Sequence, residues 1–264
     1  MINSKSVLSI GFYCTLAFSS DFAAAQVLIY EGFDSPAGEN ALDKSAGVTS
    51  LGWAAASVWS ASGKDVAAGS MAYLDARSKP LRSAGNRVST DTITDAFRAL
   101  PATINSGTIW IGFIAKAIAP SPSLGYLGIL LQSGSENRFF VGERFLSDRW
   151  SIERSNLPGQ EADSTVLASV KSFLVVRIDF NQGTTPGNEN AYLWVNPLLD
   201  SQPSTAQASA TLLNMQSFDF NQVTIQGAYT SDGNELDELR IGSTFADVAP
   251  IEGLIFRNGF ESAP

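Results

Sequence analysis

The sequence predicts an all-β protein, a sandwich or a barrel, on three observations. Glycine and proline punctuate the chain at short intervals. The runs between them are short and rich in β-branched and aromatic residues, the pattern of many strands joined by turns. No long segment carries a 3.6-residue apolar repeat. The best helical candidate is Asp91–Leu100, with Asp91 as a cap and Pro101 as a stop. Its Thr-rich start fits a strand or loop equally well.

Taken in order, Met1 to Ser6 is a polar start whose only cation is Lys5, and Val7 to Phe18 is an apolar run too short to span a bilayer. Ala23-Ala24-Ala25 before Gln26 satisfies the small-residue cleavage rule. Residues 1–25 are therefore expected to be a signal peptide, removed near Ala25, and the remainder to be secreted or held at the cell surface. The remaining chain is expected to form one β domain over 26–250, followed by a separate tail over 251–264. No further long apolar run follows the leader, so no membrane span is expected in the mature chain.

The first strand is Val27 to Asp34, ended by a turn at Ser35-Pro36-Ala37-Gly38. A loop rich in small residues follows, with Trp53 and Trp59 in it. Ser70–Leu74 and Asn86–Thr90 read as short strands. Thr108–Ile118 is apolar on both faces, with Ile109, Ile111 and Phe113 opposite Trp110, Gly112 and Ile114, so both faces should be covered. Tyr126–Gln132 is similar, and Asn137–Glu143 and Arg149–Arg154 follow. Ser172–Phe180 alternates clearly, with Leu174, Val176, Ile178 and Phe180 facing the core. It should form an antiparallel hairpin with Ala191–Asn196, because the connector is too short for a crossover. Thr205–Leu213 is a strand or a solvated edge. Gln222–Ala228 and Glu235–Gly242 should make the final pair, the latter lying beside the first strand.

Composition excludes several functions. The net charge is −9; the leader holds one Lys and one Asp, so the rest of the chain carries the same charge. Such a chain should not bind nucleic acid through its phosphates or adhere to an anionic membrane. There is no histidine, which removes the commonest general base, every His-containing triad and the usual zinc and copper sites. The one cysteine, Cys14, lies in the leader. Any metal would have to be held by carboxylate and carbonyl oxygens, which points to calcium.

Tyr30-Glu31-Gly32-Phe33-Asp34, followed by Pro36-Ala37-Gly38, opens the domain. Leu236-Asp237-Glu238-Leu239-Arg240-Ile241-Gly242, with Phe245-Ala246-Asp247-Val248-Ala249-Pro250, closes it. With these two motifs, and with Gly52-Trp53 and Ser172–Phe180 between them, residues 27–250 resemble a large group of exported bacterial proteins of the concanavalin A-like, laminin-G-like jelly-roll type. Ser35 stands where an aromatic often follows the first Asp. The resemblance implies an antiparallel two-sheet jelly-roll sandwich and, more loosely, a non-catalytic module binding carbohydrate or extracellular matrix. By analogy with jelly-roll carbohydrate-binding modules, a structural calcium would lie between Glu31 or Asp34 and Asp237, with the Gly32 carbonyl completing the site. The competing reading of these carboxylates is hydrogen bonds or salt bridges at strand ends, with Arg240 as a partner.

Three further groups carry candidate chemistry. Tyr192, Trp194 and Asn196 share one face of their strand; if Leu193 and Val195 face the core, two aromatics and an amide point outward to stack on sugar rings, and otherwise they fill core. Trp150 with Arg154 is a second such patch. Arg177 and Asp179 read as a cross-strand ion pair. Arg138, Arg144, Arg149 and Arg154 cluster locally and either recognise an anionic glycan or pair with nearby glutamates. Glu235-x-Asp237 begins a β-glucanase-type carboxylate motif, but Glu238 is one residue out of phase and on a flat strand would point to the opposite face; a bulge would repair this, though the motif sits at the chain end. A structural or adhesion domain without a small ligand is the alternative function, and a glycoside hydrolase or polysaccharide lyase the third.

Overall fold

The computed structural model describes residues 27–47, 50–61, 63–90, 95–117, 126–181, 188–228 and 234–253. The proposed leader and residues 254–264 of the tail lie outside them. Among the described residues, fourteen strands fall in two antiparallel sheets. The first sheet holds β1 (Val27–Glu31), β2 (Lys64–Ala67), β3 (Arg87–Thr90), β5 (Thr108–Lys116), β10 (Ser172–Asp179), β11 (Glu189–Val195), β12 (Ala210–Met215) and β14 (Asn234–Gly242). Its order is β12-β11-β10-β5-β14-β3-β2, with β1 also on β14. The second sheet has the order β4 (Ala96–Ile104), β13 (Phe220–Ala228), β6 (Tyr126–Ser133), β7 (Glu136–Glu143), β8 (Arg149–Arg154), β9 (Glu161–Leu167).

Alternation fills the space between the sheets. Ile109, Ile111 and Phe113 of β5 and Leu174, Val176 and Ile178 of β10 meet Leu127, Ile129 and Leu131 of β6, Phe139 and Val141 of β7, and Trp150 and Ile152 of β8 in one buried cluster. The opposite face of β5 and β10 is also apolar, as a doubly covered strand requires. There Trp110, Ile114, Phe173 and Val175 join Trp194 under Met71, Tyr73, Leu81, Leu199, Phe245 and Val248. These covering residues come from loops and from α1 (Phe245–Val248). Gly242 lets α1 sit close: a Cβ there would overlap that of Asp247. Asp247 in turn accepts from the Ser243 and Thr244 amides at 2.9 and 2.7 Å, fastening the helix start.

The last strand serves both neighbours on one side. Asn234–Leu236 pair with β3, and Leu239–Gly242 pair with β1. Ile29 lies opposite Ile241 and Glu31 opposite Leu239, so the two ends of the domain meet as expected. The irregularity between them, at Asp237 and Glu238, is a bulge in which Glu238 has a φ of 57°.

Three expectations are corrected. Asp91–Leu100 is not a helix: Ala96–Ile104 is strand β4, paired with β13, while Asp91 to Thr94 lie outside the described residues. The 96–104 run alternates buried and exposed along its first half, and that two-residue period outweighs the capping signal. Ser70–Leu74 is loop rather than strand. β13 and β14 do not pair; they lie in different sheets, because each finds longer partners elsewhere.

Candidate functional site

The carboxylates of the opening and closing motifs sit in two buried networks. Glu31 Oε2 accepts from Arg98 (2.6 Å), Ser50 (2.7 Å) and Trp59 Nε1 (3.0 Å), and Oε1 from the Phe33 amide (3.1 Å). Arg98 also lies 4.7 Å over the Trp53 ring. Burial still holds the Glu31 carboxyl above the usual range, against these donors. Asp237 Oδ2 accepts from Ser70 Oγ and the Met71 amide, both at 2.6 Å. Glu238 Oε1 accepts from the Ala84 amide at 2.6 Å and from Ser70 Oγ at 3.2 Å, while Oε2 bonds Arg240. Burial and the adjacent Glu238 carboxylate push Asp237 well above the usual range.

The bulge thus turns Asp237 and Glu238 toward the same side, which strict alternation forbids. Both side chains are fully buried, and their oxygens fasten the loop around residues 70–84 to the sheet. Glu235 is bonded to Arg87 at 2.5 Å. No substrate bond could reach the Asp237–Glu238 pair without unseating that loop.

Glu31, Asp34 and Asp237, the expected calcium ligands, do not all meet at one point. Glu31 and Asp34 approach one another beside Gly47, where a Cβ would lie 3.0 Å from Glu31 Oε1 and 2.9 Å from Asp34 Oδ1. Asp237 is held elsewhere, by Ser70 and Met71. Glu31 already faces the Arg98 guanidinium, whose charge opposes a cation. Among the described residues no group of three or more acidic, histidine or cysteine side chains converges as metal ligands.

The aromatic candidates separate. Leu193 and Ala191 do face the inter-sheet core, so Tyr192 and Trp194 point to the outer face. Trp194 is nevertheless only 2% exposed. It stacks on Trp110 at 5.4 Å, and its Nε1 donates to the Ser204 carbonyl at 3.0 Å under the 197–209 segment. The outer face of this sheet is roofed over Trp194, which alternation along Ala191–Asn196 alone does not reveal. Asn196 is not part of the row: at a φ of 56° it turns its amide onto the Phe173 amide (2.9 Å) and Ser172 (3.4 Å). Trp150 points between the sheets and is fully buried, so it offers solvent no ring face.

Beside Trp194 runs a lateral row across four strands, buried at Trp110 and reaching the surface at the other three positions. Trp110 of β5, Arg177 of β10, Tyr192 of β11 and Thr211 of β12 are directly opposite one another in register. Arg177 lies 5.8 Å from the Trp110 ring and 5.8 Å from the Tyr192 ring. Asp179, two residues along the same strand, holds its Nε at 2.7 Å and is itself held by Thr108 at 2.8 Å. The pair is therefore within one strand rather than across strands. Tyr192 and Arg177 are partly exposed and Thr211 is exposed, with Trp194 supporting Tyr192 from behind at 6.1 Å. Sequence reading missed Trp110, Arg177 and Thr211 as companions of Tyr192. Their shared parity was visible, but the register that aligns them was not.

Beside this row, α1, Leu199–Gln202, Lys79 and Ile251 enclose a depression of about 310 Å³. Asp200 on its rim binds Arg77 and Lys79 at 3.0 and 2.7 Å. Phe245 lines the depression and also meets the Trp110 ring edge-on at 5.6 Å.

The fold is a two-sheet antiparallel jelly-roll sandwich. No family model matches the chain, and no curated protein matches it. Among solved structures it is similar to domain 4 of AbnA, a GH43 extracellular arabinanase from Geobacillus stearothermophilus, in complex with arabinotriose: TM-score 0.44 and 9% identity over 86% of this chain and 98% of that one. It is also similar to a legume lectin-like domain from Entamoeba histolytica, with TM-score 0.39 and 12% identity over 62% and 86% of the two chains. A third is the alginate lyase AlgAT5 of polysaccharide lyase family 7, with TM-score 0.38 and 9% identity over 64% and 83%. The likeness is one of strand layout and assigns no ligand to this chain.

Proposed function

We propose that this chain is a non-catalytic carbohydrate-binding module, exported through its leader and acting outside the cell on a glycan or matrix polysaccharide. The observation that carries this reading is the Tyr192–Arg177–Thr211 row on the outer face of the larger sheet. A partly exposed phenol ring offers a face to the CH groups of a sugar, and a guanidinium and a hydroxyl beside it can bond the ring hydroxyls. Trp194 and Trp110 stack behind and fix the geometry before any ligand arrives, which lowers the ordering cost of binding.

The test is a glycan array followed by calorimetry on the best neutral oligosaccharide. Binding should fall about tenfold or more in Tyr192→Ala, since ring stacking contributes on the order of 1 kcal/mol or more, while the thermal melt stays near wild type. Wild-type affinity retained in Tyr192→Ala, or an array with no hits, would sink the reading.

A second reading, an adhesion domain without a small ligand, is favoured by exposed apolar side chains at one end of the smaller sheet. Phe145 and Leu146 of the β7–β8 turn, Leu167 at the end of β9 and Val170 after it are 50, 64, 40 and 52% exposed. Ala168 bonds Asp148 across this end at 2.9 Å, which brings the two turns together.

A further inference from the structure

We propose that β12 is a docking edge for a second copy of this chain, the two strands pairing antiparallel about a two-fold axis and joining two eight-stranded sheets into one. β12 ends its sheet. It is bonded to β11 on one side, and among the described residues no segment pairs with its other side. An open edge presents a row of backbone donors and acceptors that another strand can complete.

The other edges are closed or guarded. Val66 of β2 exchanges backbone bonds with Gly38 at 2.9 and 3.1 Å, and the Lys64 carbonyl accepts from Leu42 at 3.3 Å. Tyr30 of β1 exchanges bonds with Leu51 at 3.1 and 3.0 Å. In the smaller sheet, Phe97 of β4 exchanges bonds with Ser60 at 2.9 and 3.0 Å, and Pro101 interrupts the rest of that strand. β9 is uncovered among the described residues, but it holds Glu161 and Asp163 exposed, and charge guards an edge against pairing.

β12 lacks such a guard. Between Asp200 and Asp219 the sequence holds no charged residue. Thr211 is exposed, and the apolar side chain of Leu213 is 56% exposed. The charge-free ground continues onto the segment that roofs Trp194, where Ser204 to Gln207 are exposed.

That composition favours a second copy over a foreign partner. The chain carries a net charge of −9, so two copies repel wherever their acids face one another. A self-contact needs ground free of charge, whereas a basic partner would be drawn to the acids. A two-fold contact sets the same surface on both sides. With the axis at Leu212, Thr211 of each copy stands opposite Leu213 of the other on the outer face, and no like charges meet. Leu212, which faces the inter-sheet core, meets its own counterpart at the seam. The Tyr192 row ends at Thr211, so the joined sheet would carry two such rows on one face. The pairing does not rest on either row binding a sugar.

The experiment is sedimentation of the full chain over a range of concentrations, with hydrogen exchange on the same samples. A monomer–dimer equilibrium is expected. It should tighten as salt rises, because screening weakens the repulsion between two acidic chains. Amides in Ala210–Leu213 should exchange more slowly as the dimer forms. Leu213→Lys should raise the dissociation constant about tenfold or more, since the two-fold brings the added charge into the seam twice. It does so while lowering the net negative charge, which separates an edge effect from a general one. Leu167→Lys, on the β9 edge, should leave the dimer unchanged. A wild-type chain that stays monomeric, a dimer that loosens as salt rises, a folded Leu213→Lys as tightly paired as wild type, loss of the dimer in Leu167→Lys, or exchange in Ala210–Leu213 that is independent of concentration overturns the proposal.

Discussion

The guanidinium of Arg240, on the last strand, lies 4.8 Å over the ring of Tyr30, on the first. The same group donates to the Arg82 carbonyl at 2.7 Å and pairs with Glu238. One side chain therefore ties both ends of the domain and the 70–84 loop together. Arg240→Ala leaves Glu238 buried without its cation, and breaking a buried pair from one side costs about 3–5 kcal/mol. Urea denaturation should show that loss, and proteolysis should cut first within 70–84. A loss under about 1 kcal/mol, the worth of an exposed pair, would mean the pair is merely superficial.

Trp194 and Tyr192 should part company under mutation. Trp194→Ala empties a fully packed position and should cost about 3–5 kcal/mol. Tyr192→Ala, at a partly exposed site, should cost on the order of 1 kcal/mol or less. Thermal melts of the two variants distinguish a roofed tryptophan from one waiting at the surface: equal melts would contradict the packing described.

Glu143 gives the fold a pH dependence with a definite sign. It is a buried residue opposite Trp150, and burial, helped by Asp148, raises it from 4.5 to about 7. In the unfolded chain it ionises near its ordinary value, so the unfolded state releases this proton first. Its contribution is intact below about pH 4.5, declines as pH rises through about 7, and levels off above that. Glu143→Gln should therefore raise stability at pH 8 relative to wild type, on the order of 1 kcal/mol, and change little at pH 4. Denaturant midpoints at the two pH values measure this; a gain confined to pH 4 would reverse the sign and refute it.

Gly242 should tolerate no side chain. In Gly242→Ala the new methyl would overlap Asp247, so α1 must lift from the sheet, at about 1–3 kcal/mol for overpacking. Phe245 would leave the Trp110 ring with it. The accompanying signal is a red-shifted tryptophan emission; an unchanged spectrum and melt would show that the helix is not seated there.

Much of the architecture was legible because alternation is a local property. Ile109, Ile111 and Phe113 against Trp110 and Ile114, and Leu174, Val176 and Ile178 against Phe173 and Val175, separate into two clusters as their parity requires. The pairing of the opening and closing strands was legible from their motifs. The carboxylates in those motifs were noticed, and hydrogen bonds or salt bridges with Arg240 as a partner were one of the two readings the sequence left open. Whether Glu31 and Asp237 face a cation or a protein donor depends on Arg98, Ser70 and Met71, which are distant in sequence.

The sequence by itself determined the class of fold, the two faces of each strong strand and the absence of histidine chemistry, because composition and a two-residue period need no partner to be read. Tertiary structure alone decided that β4 is a strand, that the bulge turns Asp237 and Glu238 to one side, that Trp194 is roofed, and that Arg177 stands between Trp110 and Tyr192. Each of these depends on which distant segment lies alongside, and a chain fixes that only when its long-range register closes.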